Sequence, residues 1–265
     1  MSIAKIGLRA AQLLALPVVL IVAWWYVAKL TVESGNYNYL SSPAEILRIF
    51  PDVWNRDRIM TDAIPSVVRL LVGFAIAGVI GVTAGVLIGS SPKLRAFTEP
   101  VLEFFRAIPP PVLVPVLILF AGLDSTMKVS VIISGCIWPV LLNTVEGVRA
   151  VDPVLADTCR SYGIGGATRL RTLVLRSASP QIMAGLRQAL SVAIILMVIS
   201  EMVAASSGLG FTIVQFQRGF AVPEMWTGIV LLGLLGFALA ALFGVVERRV
   251  LSWYHGLRRA ARGSN

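Results

Sequence analysis

Residues 66–89 read SVVRLLVGFAIAGVIGVTAGVLIG, an apolar run whose one charged side chain is Arg69. A helix of about 20 mostly apolar residues crosses the hydrocarbon core of a bilayer. The run meets that length and is read as a spanning helix. Outward from it the same test picks out 11–30, 99–121, 127–148, 182–204 and 226–250. The expected fold is all-α, a polytopic membrane protein with six transmembrane helices in a single transmembrane domain over 1–265.

The whole composition agrees. Of 265 residues, 57% are hydrophobic and 14% charged, and the mean hydropathy is +0.82. A soluble domain carries roughly 25% charged residues, so a single soluble globular enzyme fits poorly, and a disordered chain is excluded. The net charge of +9 fits basic cytoplasmic loops better than nucleic-acid binding. The only histidine is His255, which leaves no histidine-built metal site. Cys136 and Cys159 form no CxxC and no arguable disulfide. No phosphate loop GxxxxGK[ST] and no GxSxG elbow occur. The chain is not expected to be an enzyme. The first apolar run ends in Trp24-Trp25-Tyr26 without a small-residue cleavage site, so it is read as an anchored span.

Six spans put both termini on one side, and basic residues choose the side. With a cytoplasmic N-terminus, 14 Lys and Arg fall in inside segments and 5 in outside loops. The expected orientation is therefore N-in and C-in. Two loops are long. In 31–65, Ser42-Pro43-Ala44-Glu45 looks like a helix start, and Ile46, Leu47, Ile49, Phe50 and Val53 follow at roughly helical spacing. An amphipathic helix on the outer surface is expected. The cytoplasmic loop 149–180 is basic, with Gly163, Gly165 and Gly166 at its centre. It reads as two short helices joined by a glycine turn.

Small residues recur every fourth position, as Ala77, Gly81, Gly85 and Gly89 and as Gly236, Ala240 and Gly244. Such stripes allow close helix approach, within a subunit or between two copies. Pro109-Pro110-Pro111 and Pro115 interrupt the third run. Carbonyls freed there must face protein or water, so this span is expected to line the bundle interior.

Several polar side chains stand out in the spans. Glu201 interrupts an apolar stretch, and either an interior position or a solvated one near the outer end fits it. A gate or helix-pairing role suits it better than contact with an anion. Arg106 either pairs with Glu103 one turn earlier or offers a cation on the translocation path. Ser134, Asn143, Ser191 and Ser200 either line that path or bond back to their own helices.

The stretch Asp157-Thr158-Cys159-Arg160-Ser161-Tyr162-Gly163, continuing to Val174-Leu175-Arg176, resembles the EAA loop of ATP-binding-cassette importer permeases. Gly163 and Leu175 fall in register with that loop. Asp157 stands where it has glutamate, Thr158 and Cys159 replace alanines, and Arg176 replaces proline. Phe105-Arg106-Ala107-Ile108-Pro109 through Lys128, and Trp138-Pro139-Val140 through Val151-Asp152-Pro153, are similar to the nitrate/sulfonate/taurine-type permeases. So is Glu201-Met202 with Ser206-Ser207-Gly208-Leu209-Gly210. The likeness covers about 42–250.

The resemblance implies a type I importer permease fold in the bacterial cytoplasmic (inner) membrane. It implies a second copy of the permease, two ATP-binding-cassette ATPase subunits and an extracytoplasmic solute-binding protein, in contact with membrane lipid and no nucleic acid. ATP and Mg belong to the partner ATPase, leaving this chain without a cofactor. The implied solute is a small anion of sulfonate, taurine or nitrate type, with an aromatic acid or pyrimidine precursor as the alternative. Leu155, Asp157, Arg160, Gly163 and Leu175 are the implied ATPase-coupling residues. In 152–162 apolar Val154, Leu155 and Tyr162 alternate with polar residues, and Gly163 lets the chain reverse. A secondary transporter fits less well, because no internal repeat is visible.

Overall fold

The computed structural model describes residues 3–33, 40–203, 205–254 and 256, with side chains described from residue 15 onward except at 32 and 33. His255, Arg258, Arg259 and Arg262 lie outside the described residues, as do the side chains of Lys5 and Arg9. No strand occurs among the described residues. The helices are α1 (Ile3–Glu33), α2 (Pro43–Val53), α3 (Arg56–Arg58), α4 (Ile64–Ser90), α5 (Pro92–Arg106), α6 (Val114–Ala121) and α7 (Ser125–Arg149). Then come α8 (Pro153–Ser161), α9 (Gly166–Arg169), α10 (Leu175–Val203), α11 (Leu209–Arg218) and α12 (Val222–Val250).

Among the described residues, four helical runs are long and apolar enough to cross a membrane: Arg56–Ser90, Ser125–Arg149, Gly166–Val203 and Val222–Val250. The third expected span, 99–121, is not one rod. It is the pair α5 and α6, bent by 79°. The break falls at Pro109-Pro110-Pro111, where a short 3₁₀ turn (Pro110–Leu113) replaces α-helix. Prolines there cannot donate the ladder hydrogen bonds. Counting the bent pair as one span gives five, and α1 holds a shorter apolar stretch, Ala15–Thr31.

The core is built on α7, against which α4 and α10 both pack. The first small-residue stripe lies in the α4–α7 contact. A methyl added to Gly81 would come 2.8 Å from Val140, at Gly85 2.6 Å from Thr144, and at Gly89 2.9 Å from Val148. Gly73 meets Ile132 in the same way, at 2.7 Å. The partner lies the same number of positions further along the chain each time, so α4 and α7 run parallel. A parallel pair needs a return crossing between its members, and α5–α6 supplies it. In contrast α10 runs antiparallel to α7, since Gly147 near the end of α7 abuts Ala178 while Cys136 at its middle donates to the Ala189 carbonyl at 3.2 Å. The second stripe is different: a methyl at Gly244 would meet nothing within 4 Å.

The expected surface helix is α2. Ser42 caps it by accepting from Glu45 N at 3.2 Å, with Pro43 at its first position. Trp54, just past its end, is buried and donates from Nε1 to Thr227 Oγ1 at 2.9 Å, tying α2 to α12. The loop 149–180 holds α8 and α9 around the expected glycine turn. However, α9 does not stand alone. Through a π turn (Leu170–Val174) it runs on into α10.

Candidate functional site

Two constellations stand at opposite ends of the α4–α7–α10 core. The first gathers around Glu201, which is wholly buried. Its Oε1 forms an ion pair with Arg69 Nη1 at 2.8 Å. Its Oε2 accepts from Gly210 N at 3.0 Å. Ser66 Oγ lies 2.7 and 2.8 Å from the two carboxylate oxygens and accepts from Leu209 N at 3.0 Å. Arg69 also donates from Nε to Ser125 Oγ at 3.0 Å and from Nη1 to the Ser207 carbonyl at 3.3 Å. Asp62 Oδ1 accepts from Gly208 N at 3.0 Å. Buried Lys128 donates to the Leu123 carbonyl at 3.3 Å.

The glycines of 206–210 now have a physical reason. Gly208 has φ +127°, and a methyl there would run into the Glu201 carboxylate. Gly210 would put its methyl 2.6 Å from the Val198 carbonyl. The backbone can therefore reach the carboxylate only where side chains are absent. Both carboxylate oxygens of Glu201 are hydrogen-bonded, as a buried ion pair requires. The network is electrically closed and joins α4, α7, α10 and the start of α11.

Arg69, Ser66, Asp62 and Lys128 were not picked out as site residues from the sequence. The signal for Arg69 was present, since an arginine inside the 66–89 run is as costly as Glu201 in its own stretch. Arg106 is elsewhere: its Nη2 pairs with Glu103 at 2.6 Å on an exposed face of α5. Ser134 Oγ donates to the Val131 carbonyl and Ser200 Oγ to that of Met197, each within its own helix. Asn143 Nδ2 reaches the Pro139 carbonyl at 2.8 Å and Gln188 Oε1 at 3.2 Å, across to α10. Ser191 faces a cavity of about 500 Å³ between α10 and α12, beside an Arg187–Glu247 ion pair. The structure therefore does not bring Arg106, Ser134, Asn143 and Ser191 together with Glu201 in one site.

The second constellation is the α8 turn. Asp152 caps α8, accepting from Val154 N at 2.7 Å. Tyr162 N donates to the Thr158 carbonyl, and Ile164 N to that of Cys159 at 2.8 Å, closing the helix end. Gly163 supplies this closure with φ +68°. Asp157 and Arg160 pair at 3.2 Å on the surface. Val154 is 70% exposed, Leu155 50% and Tyr162 79%. Leu175 is half-buried at the start of α10. An apolar face on a helix this short has no core of its own to enter.

Residues 77–252 match the family described as binding-protein-dependent transport system inner membrane component. The putative aliphatic sulfonates transport permease protein SsuC of Bacillus subtilis is 28% identical over 240 residues, covering 91% of this chain and 86% of that protein. The taurine transport system permease protein TauC of Escherichia coli is 27% identical over 89% of this chain and 87% of that one. The bicarbonate transport system permease protein CmpB of Synechococcus elongatus is 29% identical over 71% and 68%. In fold, the chain is similar to the inward-facing MetNI methionine ABC transporter, with a TM-score of 0.60 at 22% identity over 71% of this chain and 94% of that one. With the bent third span, the glycine-closed α8 turn and the family match all on one chain, the protein belongs to the binding-protein-dependent transport system inner membrane components, the permeases of ATP-binding-cassette importers.

Proposed function

We propose that this permease works as one of two identical copies, forms a single transmembrane domain, and docks a separate ATPase through α8. Both termini and 149–180 lie in the cytoplasm, and a binding protein delivers the solute from the other side. ATP and its metal stay on the ATPase. The observation that carries this reading is the uncovered apolar face of α8, Val154, Leu155 and Tyr162, at the end of the core opposite the Glu201 network. A helix projecting from a rigid bundle and seated in a partner's groove moves as a lever. The unbroken run from α9 into α10 supports this, because it connects the α8 turn to the span that carries Glu201. Open space beside Gly244 on α12 suits a second copy.

We assign a small organic anion, sulfonates first, as the solute. The relatives are named for aliphatic sulfonates, taurine and bicarbonate, which share an anionic oxygen-bearing group. The permease reconstituted with its ATPase should hydrolyse ATP faster when a sulfonate-loaded binding protein is added. Stimulation by neutral sugars or cationic peptides alone would reject the solute class and leave the importer reading standing.

A further inference from the structure

A cavity of about 560 Å³ opens behind the α8 turn, where α4 gives way to α5 and α7 ends. Three arginines line it, Arg95 on α5, Arg149 on α7 and Arg169 on α9, and no acidic residue does. Arg149 is partly committed to Glu146, at 3.3 Å on the exposed side. The other two are half-buried and have no carboxylate partner among the described residues. The Arg169 Nε is buried without any hydrogen-bond partner. A smaller cavity next door shares Arg95 and Arg149 and carries Glu99, Glu103 and Glu146, so acidic groups were available nearby. They do not enter the arginine-lined space.

Three arginines on the wall of one cavity surround it with like charge, and a buried donor left unpaired costs about 1–3 kcal/mol. A dianionic or monoanionic tetrahedral group resolves both at once, because its oxygens accept from several guanidinium forks. Basic pockets between helices at the cytoplasmic end of membrane proteins suit phosphate headgroups. We propose that this cavity is a binding site for a phosphate group, supplied by an anionic phospholipid headgroup or by free phosphate. The site is separate from the proposed solute path and from the exposed face of α8. Its occupant would join the α4–α5 turn through Arg95 to α9 through Arg169, and so fix the α8 turn against the spans.

The test uses the full-length permease in nanodiscs, with two probes. Inorganic phosphate is titrated against chloride of equal ionic strength in phosphatidylcholine discs, reading thermal unfolding. Separately, retention of phosphatidylglycerol over phosphatidylcholine is measured by native mass spectrometry. Arg169→Gln and Arg95→Gln should each weaken binding of the effective probe about tenfold, as expected for loss of one charge-assisted hydrogen bond. Arg169→Lys should retain part of it. Arg171→Gln, one exposed arginine that does not line the cavity, should leave binding unchanged. A response to phosphate alone names the free anion, and retention of phosphatidylglycerol names the lipid. The proposal is overturned if the parent protein answers to neither probe, or if Arg171→Gln weakens binding as much as Arg169→Gln.

Discussion

Arg69 and Glu201 stand 132 residues apart in the chain and 2.8 Å apart in the fold, and the Glu201 side chain is wholly buried. Such a pair does little net stabilising, since desolvation offsets the attraction. Removing one partner is another matter, because the other charge then stays buried alone. Glu201→Gln and Arg69→Gln should each cost about 3–5 kcal/mol. The double variant should recover part of that loss. Unfolding in detergent checks this, and equal stability of single variants and parent would remove the pair from the account. In the reconstituted complex, Glu201→Gln is expected to keep assembly while changing basal ATP hydrolysis or its coupling to transport.

The parallel contact of α4 on α7 depends on missing side chains. At Gly85 a methyl would sit 2.6 Å from Thr144 and 2.9 Å from the Leu141 carbonyl. Backbone cannot yield as a flexible side-chain end can, so Gly85→Ala should destabilise by about 1–3 kcal/mol, the usual range for overpacking. The matched control is Gly244→Ala, which meets open space in the single chain. Equal loss in both variants, measured on monomeric protein, would contradict the assignment of the first stripe to intrachain packing.

What could be read from the sequence follows from what lipid demands. A bilayer requires long apolar runs, so 66–89 and 226–250 were visible as helices before any contact was known. Glu201 stood out because a carboxylate in such a run is costly. Its partner Arg69 carries the same signal, but lies near the start of its span, where a long side chain can also reach the interface. Only the packing of α4 against α10 brings the two charges together. The prolines at 109–111 announce an interruption but not its 79° bend. The helix α11 gives no such signal, since a ten-residue element of mixed polarity is too short to show as a 20-residue apolar run. Its position is set by Gly208 and Gly210 against Glu201, a long-range relation.

Orientation is testable with one cysteine. Gly165 has an extended backbone and open space around its α-carbon, so Gly165→Cys should fold normally. It requires Cys159→Ser as background, because Cys159 is partly accessible, whereas Cys136 is buried. A membrane-impermeant maleimide should label position 165 only in inside-out vesicles. Labelling in right-side-out vesicles would reverse the proposed topology and place the α8 turn beyond reach of any ATPase.

The α8 turn itself gives the sharpest expectation. Gly163 has φ +68°, and a methyl on it would meet nothing within 4 Å. Any substitution there acts through backbone strain and not through a clash. A β-branched residue in the left-handed region costs about 1–2 kcal/mol, whereas asparagine visits it readily. Gly163→Val should therefore open the closure made by Ile164 N on the Cys159 carbonyl and turn Val154, Leu155 and Tyr162 away from their common face. Gly163→Asn should keep both. Asp157→Asn should be mild, because its partner Arg160 is on the exposed surface and such pairs contribute little. The expected order in an ATPase pull-down is parent, Asp157→Asn and Gly163→Asn alike, with Gly163→Val below them. Leu155→Asp should abolish capture outright, since it charges the apolar face without touching the turn. Because Gly163 and Leu155 lie outside the packed core, insertion and detergent stability should be unchanged in all four variants. Capture of the ATPase by Leu155→Asp at the parent's level, with transport intact, would place the docking surface somewhere other than α8.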